Sequence, residues 1–232
     1  MNIYQLKPTI VVKIKEKIYK IFSDSDSCKD EYMRLNKINE PLISNSSTHD
    51  YKMSLVKAIS IFKNVLIMEY ANGVPLIKSS SLLKSVSISG ECLAEFHSKD
   101  YQVDGVFGPR LLGDFSIDHI YINTNDKVIT VIDPGLNYMV MGNQLEDIAR
   151  FLFSVSDSFR YKPYISRKIM KAFIQGYVTN KEIDFNDLGK TINHRKAVSM
   201  QKYTLQKSFF KALIGHILIR YYRLIIRISL KC

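Results

Sequence analysis

Between Leu111 and Gly135 the chain reads LLGDFSIDHIYINTNDKVITVIDPG, and few folds can use such a stretch. Two short apolar runs, Ile120 to Ile122 and Lys127 to Ile132, flank Asn125 and Asp126, whose side chains bond nearby backbone and favour a tight turn. Pro134 and Gly135 end the second run at once, because proline has no amide to give a ladder. The spacing predicts a β-hairpin with Asp114, His119 and Asp133 gathered at one end. Acids so placed are either solvated turn residues or a site where a base and two metal ligands converge on a triphosphate. Two of them, 19 positions apart and each in its own apolar frame, favour the second.

The rest of the chain bounds the answer. At 232 residues and 46% hydrophobic it can bury a core without metal or disulfide support. Cys28, Cys92 and Cys232 are odd in number and far apart, which argues against a disulfide framework or zinc site and for a reducing compartment. The first residues, MNIYQLKPT, lack the apolar core of a signal peptide, so a cytoplasmic protein is expected. No repeats occur, and the polar stretch Ser44 to Asp50 reads as a loop.

The hairpin segment resembles the catalytic and metal-binding loops of the aminoglycoside phosphotransferase family, a branch of the protein-kinase-like fold. That family carries an HGD-x4-N loop, then a strand and an acidic metal site. The resemblance implies that Asp114 orients the acceptor hydroxyl and that Asp133 binds magnesium. Leu112 stands where the family has His, and His119 where most members have a metal-binding Asn; macrolide phosphotransferases look similar at the latter. Imidazole suits manganese or zinc better than magnesium, which prefers oxygen. The implied cofactors are ATP and Mg2+, with Mn2+ as the alternative.

Other segments carry the same resemblance. VLIMEYANGVPL, Val65 to Leu76, looks like the hinge between two kinase lobes, so the Glu69 carbonyl and Ala71 amide would meet the adenine. GECLAEFHS, Gly90 to Ser98, resembles the helix before the catalytic loop, with His97 a packing or capping residue. In LEDIARFL, Leu145 to Leu152, Asp147 would brace that loop. Near the N-terminus, Ile18 to Phe22 alternates as a strand and Lys29 to Ile38 reads as a helix. Kinases pair a strand lysine with a helix glutamate, and Lys20 with Glu31 is the candidate pair, Lys13 and Lys15 being substitutes for the lysine. Before Lys20 there is room for strands over Asn2 to Leu6 and Thr9 to Lys15. No glycine occurs before Gly73, so phosphate contact from a glycine-rich loop must be reduced or completed by a partner. The fold class implied is α+β: a single kinase-like domain over 1–232, with a reduced β lobe to residue 70 and a mostly helical lobe after it.

Charge is uneven. From Arg195 to Cys232 there are nine Lys or Arg and no Asp or Glu, in a chain whose net charge is +11. Over about 207–231 the pattern is helical, with His216, Arg220, Arg223, Arg227 and Lys231 on one stripe. Such a helix either packs on the helical lobe with one wet face or lies on an anionic membrane surface, peripheral at its inner face. Its basic interruptions argue against a spanning helix. Nucleic acid is disfavoured as a partner because no base-reading motif accompanies the stripe. The expected activity is transfer of the γ-phosphoryl group of ATP to a hydroxyl of a small molecule or sugar, with a lipid-linked glycan precursor as an attractive acceptor. A catalytically silent nucleotide- or partner-binding protein and a small atypical protein kinase are the alternatives.

Overall fold

A computed structural model describes residues 10–37, 51–103, 106–109, 111–133, 143–204, 217 and 220–226. The N-terminal alternation becomes β1 (Ile10–Ile14) and β2 (Lys17–Ile21), an antiparallel hairpin turned by Lys15 and Glu16. Lys15 takes a left-handed φ of 52°, so the turn is made without glycine. Next comes α1 (Ser25–Lys37), which starts four residues before the expected Lys29. The Asp24 carboxylate accepts the Ser27 amide at 2.8 Å and caps it there. β3 (Lys52–Leu55), β4 (Ala58–Phe62) and β5 (Val65–Glu69) follow. Four of these strands form an antiparallel sheet in the order β1-β2-β5-β4.

A second sheet has the order β3-β10-β9-β6, with β6 (Val74–Pro75), β9 (Ile120–Asn123) and β10 (Val128–Val131); β7 (Asp100–Val103) and β8 (Val106–Pro109) pair separately. β9 and β10 are the expected hairpin, in register from Ile120 with Val131 to Asn123 with Val128. Its turn closes because the Asn123 side-chain oxygen accepts the amides of Asn125 and Asp126 at 3.0 and 3.1 Å. Ile120, Ile122, Ile129 and Val131 point into the core. β3 pairs with β10 in parallel, a long-range contact that no hairpin rule would supply.

The helical part contains α2 (Leu82–His97), α3 (Leu145–Ser158), α4 (Pro163–Asn180) and α5 (Phe185–Thr204). α2 and α4 touch backbone to backbone. A Cβ on Gly90 would meet the Phe173 carbonyl oxygen at 2.3 Å, and one on Gly176 the Ser87 carbonyl oxygen at 2.0 Å. Phe151 and Phe173 stack with ring centres 3.9 Å apart, and Phe115 leans on both. Phe115 thereby fixes the chain next to Asp114 from within the core.

Of the C-terminal helix expected over 207–231, residues 217 and 220–226 are described and helical; His216, Arg227 and Lys231 lie outside the described residues. Tyr222, Ile225 and Ile226 are buried, and the Tyr221 hydroxyl donates to the Arg160 carbonyl at 3.0 Å. This segment therefore packs as a lobe helix. Arg220 is exposed and Arg223 half-buried, and these two are the only stripe residues among the described ones. The expected strand at Asn2–Leu6, the loop at Ser44–Asp50, the stop at Pro134 and Gly135, and Cys232 also lie outside the described residues. Cys28 and Cys92 are free and buried. Among the described residues no helix is long and apolar enough to cross a membrane.

Candidate active site

A cleft of about 200 Å³ opens between the two sheets, lined from one side by Lys20, Glu31, Met68, Glu69 and Ala71 and from the other by His119, Tyr121 and Asp133. β2 presents Lys20 to it. Lys20 Nζ donates to Glu31 Oε1 at 2.7 Å and to Asp133 Oδ1 at 2.8 Å. Of the two substitute lysines, Lys13 Nζ sits 3.3 Å from the centre of the ring of Tyr70, which lines the same cleft, and Lys15 is in the β1–β2 turn. Burial opposes the Lys20 charge, but Glu31 and then Asp133 outweigh it and hold its pKa above the ordinary lysine value. The Lys20 and Glu31 side chains are 12% and 11% exposed and Asp133 49%, so this is a buried pair with one carboxylate open to the cleft. Asp133 has a left-handed φ of 54° directly after β10, a conformation that turns it out of the strand. Glu69 and Ala71 line the same cleft, and the Tyr70 amide between them is taken by the Glu16 carbonyl at 3.0 Å.

The loop that carries Asp114 is held from below by one carboxylate. Asp147, 1% exposed on the first turn of α3, accepts the amides of Leu112 at 2.7 Å and Gly113 at 2.8 Å. His97 Nε2 lies 3.1 Å from the same carboxylate, and His97 Nδ1 lies 2.9 Å from the Tyr177 hydroxyl. Burial, then the Asp147 charge, push the Tyr177 pKa up. In the tautomer that carries its proton on Nε2, Nε2–H donates to Asp147 and the phenol donates to Nδ1, so both ring nitrogens of His97 are paired. Position 112 is fully buried, which suits leucine; its backbone does the bracing. Gly113 has φ 73°, the left-handed kink that lifts Asp114 out of the core. The Ser154 hydroxyl, not foreseen from sequence, takes the Ile117 amide at 3.0 Å and fixes the far end of the loop.

Asp114 and His119 come together, with Oδ2 3.9 Å from Nδ1. His119 Nδ1 is buried and has no hydrogen-bond partner. Sequence reasoning missed Arg150, which grips both oxygens of Asp114, Nε on Oδ1 and Nη2 on Oδ2 at 3.0 Å. The signal was present: Arg150 is three residues after Asp147 and so shares its helix face. Among the described residues no group of three or more His, Cys, Asp or Glu converges to hold a metal. A site that used the His119 nitrogen and Asp133 would need further ligands from phosphate and water, and its imidazole would suit manganese better than magnesium.

No protein-family model matches the sequence, and a search of curated proteins finds no match. Solved structures do match in fold. A microcompartment-associated aminopropanol kinase superposes with a TM-score of 0.58 at 14% identity, covering 94% of this chain and 88% of that one. The macrolide 2'-phosphotransferase of Brachybacterium faecium gives 0.57 at 10% identity, over 92% and 88%. An amicoumacin kinase in complex with AMP-PNP and calcium gives 0.51 at 13%, over 97% and 89%. The chain has the protein-kinase-like fold in the form seen in aminoglycoside phosphotransferases and related small-molecule kinases.

Proposed function

We propose that the protein is a phosphotransferase that moves the γ-phosphoryl group of ATP to a hydroxyl of a small molecule or sugar. The observation that carries this reading is the linked trio Lys20, Glu31 and Asp133 in a cleft that His119 also lines, with Asp114 beside His119. Lys20, kept cationic by Glu31, would lie on the nucleotide phosphates, while the Glu69 carbonyl and Ala71 amide would meet the base. Asp133 and His119 would hold Mg2+ or Mn2+, which when bound offsets charge on the β- and γ-phosphates. Asp114 would align the acceptor hydroxyl and take up its proton. Positioning and charge supply most of the catalysis in such reactions, so a loop braced by buried bonds is the property that matters. The neighbours named for aminopropanol, macrolide and amicoumacin chemistry support a small-molecule acceptor.

The test is metal-dependent ATP turnover against a panel of sugars, lipid-linked glycans and proteins. Stimulation by a hydroxyl-bearing small molecule is expected. A second reading, a silent nucleotide-binding protein, is favoured by the glycine-free β1–β2 turn, and ATP binding with no transfer to any acceptor would select it. Transfer only to proteins would select the atypical protein kinase.

The outer face of this packed helix, with Arg220 exposed and Ile217 and Leu224 each 57% exposed, is the surface by which the protein would rest on an anionic membrane, where a lipid-linked glycan would be at hand. Salt-sensitive sedimentation with anionic vesicles is the expected result. Equal binding to neutral vesicles would reject it.

A further inference from the structure

The C-terminal run has a counterpart in the chain: Ser158 to Lys181, the α3–α4 turn and α4, holds six Lys or Arg and no Asp or Glu. The fold sets the two side by side. The Tyr221 hydroxyl donates to the Arg160 carbonyl at 3.0 Å, and Arg160, Tyr161, Pro163 and Tyr221 wall a shallow recess of about 330 Å³. Apolar groups stand open around it. Tyr161 is 88% exposed and Tyr164 68%, while Ile217 and Leu224, also exposed, share a helix stripe with Tyr221 at i, i+4 and i+7. Exposed cations border them, namely Lys162, Arg220 and Lys168, whose Nζ lies 4.5 Å from the centre of the Tyr164 ring. Arg160 is not among these cations, because its Nη2 meets Asp157 at 3.0 Å and the two charges offset each other.

We infer that the α3–α4 turn docks on an anionic phospholipid bilayer, with the Tyr161 and Tyr164 rings in the headgroup layer, Lys162, Lys168 and Arg220 on lipid phosphates, and Ile217 and Leu224 at the acyl boundary. The inference rests on the membrane reading above and adds a second element to the contact and a direction to the site. Aromatic and aliphatic groups bordered by cations suit lipid. A nucleic acid offers phosphates and bases to stack but nothing for the aliphatic side chains, and a second copy would set like charge against like. Docking here turns the loop of Asp114 toward the bilayer. α3 runs along that loop: Arg150 grips Asp114, the Ser154 hydroxyl takes the Ile117 amide, and the Ser158 hydroxyl donates to Asp118 at 3.2 Å. Arg150 to Ser158 is about 12 Å of helix, so Asp114 is about that far along α3 from the docked turn, which serves an acceptor held in the membrane.

The chain has no tryptophan, so one introduced at the surface reports its own surroundings. Tyr161→Trp, and Phe62→Trp on exposed β4 as the control, are titrated with phosphatidylcholine vesicles with and without phosphatidylglycerol. On the anionic vesicles Tyr161→Trp emission should shift to the blue and be quenched by lipids brominated on their acyl chains, while Phe62→Trp stays unchanged. Lys162→Gln together with Lys168→Gln should weaken partition about tenfold or more, and Tyr161→Ala together with Tyr164→Ala about fivefold or more. Magnesium-ATP affinity, read in its own titration, should not move, and turnover on soluble acceptors reports the phosphotransferase reading separately. Wild-type sedimentation with anionic vesicles while Tyr161→Trp stays silent would overturn the inference and leave the membrane reading on the C-terminal helix; no sedimentation would overturn both. An equal shift on neutral vesicles, a stronger response to RNA, or self-association that Tyr161→Ala abolishes would also overturn it. Circular dichroism checks folding, and Tyr164→Trp replaces Tyr161→Trp if that variant fails to fold.

Discussion

Two aspartates stand at opposite extremes of the site. Asp133 is half-exposed, sits at a left-handed φ of 54° and is tied by a single lysine. Asp147 is buried and accepts from two amides and a histidine that tyrosine in turn orients. The side proposed to take the nucleotide is thus organised by a few charges around a half-exposed carboxylate. The loop proposed to be catalytic is braced by the buried network of Asp147, His97 and Tyr177. A kinase-like chain without a glycine loop can afford the first because the second keeps Asp114 still.

The largest effect should come from Asp147→Ala. It strands two amides and His97 in the core, and removing one partner of such a group costs about 3–5 kcal/mol. Urea unfolding should show that loss together with loss of transfer; a cost under about 1 kcal/mol would erase the distinction drawn between the two aspartates. Gly176→Ala tests the same rigid half from its packing. The added methyl has backbone 2.0 Å away, so α2 and α4 must part, at about 1–3 kcal/mol.

Lys20→Met should behave in the opposite sense. It should weaken ATP binding about tenfold or more while lowering stability by only about 1–2 kcal/mol. Equal stability losses at Lys20 and Asp147 would break the comparison. The pH dependence sharpens it further. The folded pKa of Lys20 is raised, so its contribution is complete below the unfolded lysine value near 10.4 and is lost as pH rises through the folded value. The stability gap between wild type and Lys20→Met should hold constant from about pH 6 to 9 and shrink above about pH 10.5.

Local signals revealed the half of the site built on Lys20 and Asp133 and part of the half built on Asp147. The Asn123–Asp126 turn and the apolar runs beside it are short-range chemistry, so β9 and β10 were legible, as was the strand that carries Lys20. Glu31 opposite Lys20 and Asp147 beneath Gly113 were reachable because the family pattern names them. The parallel β3–β10 pairing was not, since it joins residues more than 70 apart with no turn between them. Nor was Arg150. Its position on α3 was visible, but its grip on Asp114 depends on how that helix lies under the loop. Tyr177 likewise becomes part of the site only through the Gly90–Gly176 crossing that brings α4 against α2.

The central claim is a division of labour, with the Asp133 side handling the nucleotide and Asp114 the acceptor. Magnesium-ATP binding and γ-phosphoryl transfer, measured side by side for Asp114→Asn and Asp133→Asn, test it most directly. The account predicts that Asp114→Asn keeps wild-type nucleotide affinity and loses transfer by about a thousandfold or more, whereas Asp133→Asn loses both. Transfer that survives Asp114→Asn, or magnesium-ATP affinity unchanged in Asp133→Asn, would contradict it.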